Sequence, residues 1–231
     1  VQRLIYGRRK GHRLRPGRQR LLAELLPQLE VRLPEDGVLD PARLFAQRPR
    51  TLWLEIGFGG GEHLAYQAAA HPDVGLIGCE PFIGGVARLL SLIEAQGLAN
   101  IRLFADDARL LMQALPDACL ERVFILFPDP WPKARHHKRR IVNPVTAGEF
   151  VRLLRPGGEL RLASDDMDYV RAMLRALRAR PELQWQARRP ADWRERPADW
   201  PMTRYESKAV AAGRACVFLR FRRTVRRPEK P

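Results

Sequence analysis

The chain has 231 residues, with 41 Lys and Arg against 26 Asp and Glu, a formal net charge of +15. That length suits one large domain with extensions, and so cationic a surface calls for a polyanionic partner, nucleic acid before any other. Cys79, Cys119 and Cys216 show no C-x-x-C spacing, no apolar run is long enough to span a bilayer, and the amino terminus lacks the apolar core of a signal peptide; a disulfide framework, a cysteine zinc site and a membrane span are excluded, and a cytoplasmic location is expected.

In chain order, residues 1–20 form a basic arm (Arg3, Arg8, Arg9, Lys10, Arg13, Arg15, Arg18, Arg20) with almost nothing to bury. It is expected to lack a fixed structure and to contact phosphate. A short helix over 20–29 carries Leu21, Leu22, Leu25 and Leu26, and 34–49 reads as loop. From Thr51 the pattern alternates. Strands are predicted at 51–56, 74–80, 101–105, 120–127 and 158–164, and helices at 62–71, 82–96, 107–115, 144–155 and 166–180. Apolar strands separated by helices mean a parallel sheet covered on both faces, an α/β fold. Phe82, Val86, Leu89, Leu90 and Ile93 recur at helical spacing and belong to the core. Residues 188–204, with three prolines, are expected to be an ordered loop with little regular structure. A last strand at 215–222 is expected to pair antiparallel with one near 183–187. The division is thus an arm and helical extension over 1–50 and one domain over 51–231.

The stretch TLWLEIGFGGG, residues 51–61, runs a strand into a glycine-dense turn and then a helix. Gly57, Gly59 and Gly61 allow a nucleoside to lie against the main chain at the strand's carboxyl end. A dinucleotide fingerprint needs a small residue at 62, where Glu62 stands. The spacing E-x-G-x-G-x-G resembles the first motif of S-adenosylmethionine methyltransferases. Glu80, 25 positions after Glu55, ends the second strand where this architecture binds a ribose diol, or else serves a helix amino terminus. Asp107 follows the third strand; it competes with Asp106 for the adenine and is equally a candidate helix cap.

Residues 127–140, FPDPWPKARHHKRR, follow the fourth strand. Pro128 and Pro130 stiffen the segment and hold Asp129 at the sheet's edge. With Ala163-Ser164-Asp165 and Thr203-Arg204-Tyr205-Glu206-Ser207-Lys208, this segment and the EIGFGGG turn resemble the bacterial single-chain tRNA (guanine-N7)-methyltransferases. The residues Tyr6-Gly7-Arg8-Arg9-Lys10-Gly11 resemble that family's Arg-rich leader only loosely. The resemblance implies a Rossmann-like class I methyltransferase fold, a mostly parallel sheet with a terminal antiparallel strand, and transfer of methyl from S-adenosylmethionine to guanosine 46 of tRNA. It implies a cofactor site of Glu55, Gly57, Gly59, Gly61, Glu80, Asp107 and Asp129. It places Lys133, Asp165 and a loop of Thr203, Arg204, Tyr205 and Glu206 at the guanosine, with Asp165 and Asp129 as catalytic candidates.

The chemistry agrees with an inventory free of catalytic His or Cys. Guanine N7 carries a lone pair and no proton, so no general base is needed, and alignment alone is worth up to about 7 to 11 kcal/mol. Methylation leaves the purine cationic, which favours carboxylates nearby. Arg135, Lys138, Arg139 and Arg140 read as a phosphate-binding rim. His136 and His137 lack a third ligand at metal spacing, so no metal is expected. No obligate protein partner is implied, and the chain is expected to be a monomer or homodimer. Two rivals stay open: the same fold acting on a small molecule or protein, and a catalytically silent RNA-binding module.

Overall fold

The computed structural model describes residues 7, 9, 11, 13–35 and 37–224, so Arg3, Tyr6, Arg8 and Lys10 of the basic arm lie outside the described residues. The chain divides into two compact units, Val1–Pro116 and Asp117–Pro231.

In the first unit the helix expected over 20–29 is two helices, α1 (Pro16–Glu24) and α2 (Leu26–Leu29). Pro16 opens α1, where its missing N–H costs nothing, and Pro27 lacks the N–H that a continuous helix would need. The arm is in part built onto this unit: the Arg9 carbonyl accepts from Ile83 N at 3.0 Å. Then follow β1 (Thr51–Ile56), α3 (Glu62–Ala70), β2 (Val74–Cys79), α4 (Ile83–Gln96), β3 (Ile101–Phe104) and α5 (Ala108–Ala114). The strands are parallel in the order β3-β2-β1, with Leu54 opposite Ile77. Every residue of β1 and β2 is buried, as parallel strands covered on both faces require. On α4, Val86, Leu89, Leu90 and Ile93 are core, while Phe82 just before it is half-buried. The Asn100 amide meets the carbonyls of Ala68, His71 and Val74 at 3.1, 3.0 and 2.9 Å, which ties the end of α3 to the start of β2.

The second unit contains β4 (Leu120–Leu126), α6 (Pro144–Leu153), β5 (Leu154–Ser164), α7 (Met167–Arg178), β6 (Leu183–Trp185), α8 (Ala191–Arg194), α9 (Arg204–Ala211) and β7 (Val217–Arg223). Strand β5 runs parallel to β4, and β7 pairs antiparallel with both β5 and β6, so the terminal antiparallel strand is present. Strand β5 begins four residues before the expected start, because the Pro156-Gly157 turn lies within it and shifts the register opposite Leu120 and Arg122. Residues 188–204 hold the short α8, and Thr203–Glu206 is not a loop. It is the first turn of α9, because the Thr203 hydroxyl accepts from Glu206 N at 3.2 Å. Among the described residues no helix is long and apolar enough to cross a membrane.

A buried arginine holds the proline-rich segment in place. Arg161 donates to Glu159 at 2.9 Å and to Asp199 at 2.6 Å, and its guanidinium lies over the rings of Phe124 and Trp200. Trp200 is itself packed edge-on between Phe124 and Phe218. Burial alone would raise the Glu159 pKa, but hydrogen bonds from Arg222 and Arg161 and the fields of Arg161 and Arg122 outweigh it and hold the carboxyl below the ordinary glutamate range. A carboxyl lowered in the fold contributes stability that is present above its unfolded value and is lost as pH falls through its folded one. Glu159→Gln is therefore expected to cost about 1 kcal/mol at neutral pH, after discounting for solvent screening. That deficit should shrink in acid, as read by urea unfolding across the pH range; a pH-independent deficit would assign the loss to shape and not to charge.

Candidate functional site

The first unit builds its site at the carboxyl ends of β1, β2 and β3. Gly57, Gly59 and Gly61 all have left-handed φ, of 74°, 57° and 79°, so the turn needs glycine at each of these positions. Gly85, on α4, completes the cradle: a Cβ there would stand 2.2 Å from the Gly59 carbonyl oxygen. The Glu80 carboxylate accepts from Gly59 N through one oxygen and from Phe82 N through the other, both at 2.9 Å. It thereby binds the glycine turn to the end of β2 and to the entry of α4.

Asp107 caps α5, accepting from Arg109 N at 3.0 Å, and Asp106 accepts from Asp107 N at 2.7 Å, so the cap reading of Asp107 is realised. Burial, followed by the negative fields of Asp107 and Glu80, pushes the Cys79 thiol well up. The two carboxylates therefore converge on the end of β2, and Cys79 is an inert thiol there. Glu55 is 3% exposed and accepts from His63 Nδ1 at 2.7 Å, while Gln67 Nε2 stands 3.2 Å from His63 Nε2. These contacts are satisfied when Gln67 donates to Nε2 and the Nδ1–H donates to Glu55. Glu55 thus lies beneath the turn as a buried group with its own partner.

The second unit carries the remaining candidates. The segment after β4 is bent by left-handed φ at two non-glycine residues, Phe127 (51°) and Trp131 (46°), a conformation that side chains adopt only where surrounding contacts impose it. Asp129 and Lys133 between and beyond them are exposed. Residues Ala134–Arg139 form a 3-10 helix. Arg139 lies over the Trp131 ring at 4.8 Å, and Arg135 and Lys138 are exposed. Burial, then repulsion from Arg139, Arg135, Lys133 and Lys138, pushes the His136 pKa down, as expected of a cation-rich surface.

The expected rim must lose one member. Arg140 is 4% exposed, donating to the Pro130 carbonyl at 2.7 Å and to Asp168 at 2.6 Å, with its guanidinium over Tyr169. Its charge is already partnered inside, so it clamps the segment to α7 and does not face phosphate.

Asp165 follows β5 and accepts from Arg214 Nε at 2.7 Å through Oδ2. Glu206, buried in α9, accepts from Arg196 Nε at 3.0 Å through Oε1, and Arg196 also donates to the Trp200 carbonyl at 2.6 Å. Burial raises the Glu206 pKa against the opposing pull of Arg196. The Cys216 thiol is pushed up by burial and then by the fields of Glu206 and Asp165. Thr203 caps α9 beneath Glu206, while Arg204 and Tyr205 are exposed, the guanidinium 5.2 Å from the ring.

The protein family described as putative methyltransferase matches residues 49–219. A tRNA (guanine-N(7)-)-methyltransferase of Rhodospirillum rubrum is 57% identical over 225 residues, covering 96% of this chain and 88% of that protein. One of Paramagnetospirillum magneticum is 51% identical over 224 residues, covering 96% and 93%. The chain belongs to the tRNA (guanine-N(7)-)-methyltransferase family. Among solved structures, the 16S rRNA methyltransferase KamB aligns with a TM-score of 0.52 at 12% identity, covering 76% of this chain and 89% of that one. An rRNA methylase from Streptococcus thermophilus aligns with a TM-score of 0.51 at 10% identity, covering 75% and 87%. At such identities the likeness is one of fold, the Rossmann-like class I methyltransferase fold.

Several residues of this family member's site escape sequence reading. Gly85 had a signal, a Gly-Gly pair inside an otherwise apolar helix. Thr203 and Glu206 were expected at the site but in a loop, and the helix they begin had a signal too, the capping-box spacing Thr203-x-x-Glu206. His63, Arg196 and Arg214 had none, because their partners are 8, 10 and 49 positions away in the chain. His63→Leu is expected to destabilise the protein by about 1 to 3 kcal/mol by leaving a buried acceptor unmet. His63→Asn, whose amide reaches the place of Nδ1, should recover most of that in chemical denaturation. Equal stability of the two variants would show that the donor is not what holds Glu55.

Proposed function

We propose that this chain transfers the methyl group of S-adenosylmethionine to N7 of a guanosine in tRNA, guanosine 46 of the variable loop. The reading is carried by two carboxylates, Asp165 and Glu206, each oriented by an arginine, in a chain of this family. S-adenosylmethionine supplies an electrophilic methyl group on a sulfonium. The left-handed glycines and the cradle left open by Gly85 suit close main-chain approach of its nucleoside. Glu80 takes the ribose hydroxyls, Asp107 the adenine edge, and Glu55 supports the turn from below. Asp129 keeps the cofactor and catalytic role that the family motif implies.

Asp165 and Glu206 receive the guanosine. Their arginine contacts occupy Oδ2 of Asp165 and Oε1 of Glu206. Oδ1 and Oε2 are left to accept from guanine N1–H and the exocyclic amine, and the carboxylates favour the cationic purine that forms. Thr203 acts through Glu206 by holding the first turn of α9. Lys133 and Arg204 supply positive charge, and Tyr205 offers a face on which a base stacks. Arg135, Lys138 and Arg139 form the phosphate rim. The enzyme acts in the cytoplasm as a monomer or homodimer without an obligate protein partner.

The test is transfer from labelled S-adenosylmethionine to unmodified tRNA transcripts, followed by digestion to nucleosides. The expected product is 7-methylguanosine that disappears when guanosine 46 is replaced by adenosine; product that persists in that transcript would overturn the position. Asp165→Ala is expected to lose turnover by about a hundredfold with S-adenosylmethionine affinity unchanged in calorimetry. An equal loss of affinity would move Asp165 out of the guanosine site.

A further inference from the structure

We propose that the exposed face of α7, carrying Arg171, Arg175 and Arg178, is a docking surface for the sugar-phosphate backbone of the RNA, continuous with the basic 3-10 segment; this rests on tRNA being the substrate. The geometry begins with the other side of the helix. Tyr169, Val170, Met173, Ala176 and Leu177 are buried, which fixes the rotation of α7 and turns the three arginines outward. At helical spacing the arginines share one face with Asp168 and extend over about 10 Å of axis. Asp168 is where the basic segment is fastened: it accepts from Arg140 at 2.6 Å, and His137 Nε2 stands 3.8 Å away. The stripe therefore starts where the rim is anchored, and the helix itself starts two residues after Asp165.

Asp168 shares this face, yet among the described residues the three arginines form no ion pair. On α1, α4, α5 and α6 an arginine meets a carboxylate: Arg20 with Glu24 and Glu94, Arg88 with Glu62, Arg109 with Asp107, Arg152 with Glu149. Among the described residues no carboxylate lies within ion-pair reach of Arg171, Arg175 or Arg178, and Arg175 acts on Asp168 only through its field. Three unpaired guanidinium groups in a row suit a regularly charged polyanion, and bidentate contact with phosphate oxygens is the chemistry they perform best. A side chain that touches phosphate carries no sequence information, so the stripe sets affinity and orientation while the base is chosen elsewhere.

The test compares the full chain with a triple variant, Arg171→Gln, Arg175→Gln and Arg178→Gln, in tRNA binding across a salt series and in methyl transfer. The expected result is a salt slope smaller by about 2 to 3 and a tRNA KM raised at least about tenfold, with kcat and S-adenosylmethionine affinity unchanged. A control variant, Arg32→Gln, Arg43→Gln and Arg50→Gln, removes the same charge from acid-paired positions in the other unit. An equal loss in the control would overturn the proposal in favour of bulk charge, and an unchanged slope in the α7 variant would overturn it outright. The Lys-substituted triple variant keeps the charge and should retain the slope; its losing the slope as fully as the Gln variant would also count against phosphate contact. Binding needs no turnover, so a wild-type chain that binds tRNA but forms no 7-methylguanosine refutes the proposed reaction and leaves the docking surface to stand or fall on the slopes.

Discussion

The Glu80 carboxylate and the two backbone N–H groups it accepts are the constraint on which the first unit's site depends. Three left-handed glycines at alternate positions, Gly57, Gly59 and Gly61, cost conformational entropy to order. A turn made of them keeps one shape only if something outside it supplies fixed partners. Glu80 does so from the end of β2, with one oxygen on Gly59 and the other on Phe82. Gly85 then lets the Gly59 carbonyl come close to α4, and Glu55 with His63 fills the space below. One carboxylate thus orders both the glycine turn and the entry of α4.

In the second unit cations do the corresponding work. Arg161 is buried among Glu159, Asp199 and two aromatic rings, and it holds in place the proline-rich stretch that leads to α9. Arg140 is buried between the Pro130 carbonyl, Asp168 and the Tyr169 ring, and it holds the strained segment after β4. Charges so enclosed are stable only when fully partnered, and breaking one partner leaves the other exposed to the full desolvation cost. These arginines therefore specify geometry more than they add to stability. The cations of the described residues thus include guanidinium groups used inside, Arg161 and Arg140, and guanidinium groups on the surface, among them Arg171, Arg175 and Arg178 of α7.

The carboxylates proposed for the guanosine follow the same logic. Asp165 and Glu206 each give one oxygen to an arginine, which orients the group. Glu206 lies in a helix whose first turn is set by Thr203, so its direction is decided by backbone geometry and not by a mobile loop. A base presented to this pair meets oriented acceptors, which is what alignment-driven transfer to an unprotonated nitrogen requires.

Local sequence was enough for whatever depends on neighbours in the chain. The alternation of apolar strands with amphipathic helices, the glycine turn and the terminal antiparallel strand were all legible, because periodicity and turn chemistry act over a few residues. Where local signals competed, boundaries moved: Pro16 and Pro27 divided the first helix, and Thr203 with Glu206 turned an expected loop into α9. Tertiary structure alone decided which charges are available. Arg140 sits in a run of basic residues that reads as one surface, yet it is inside, and nothing in the local pattern of α7 tells that Arg171, Arg175 and Arg178 form no ion pair. Ion pairing and burial join residues tens of positions apart, and the pattern along the chain holds no record of those distances.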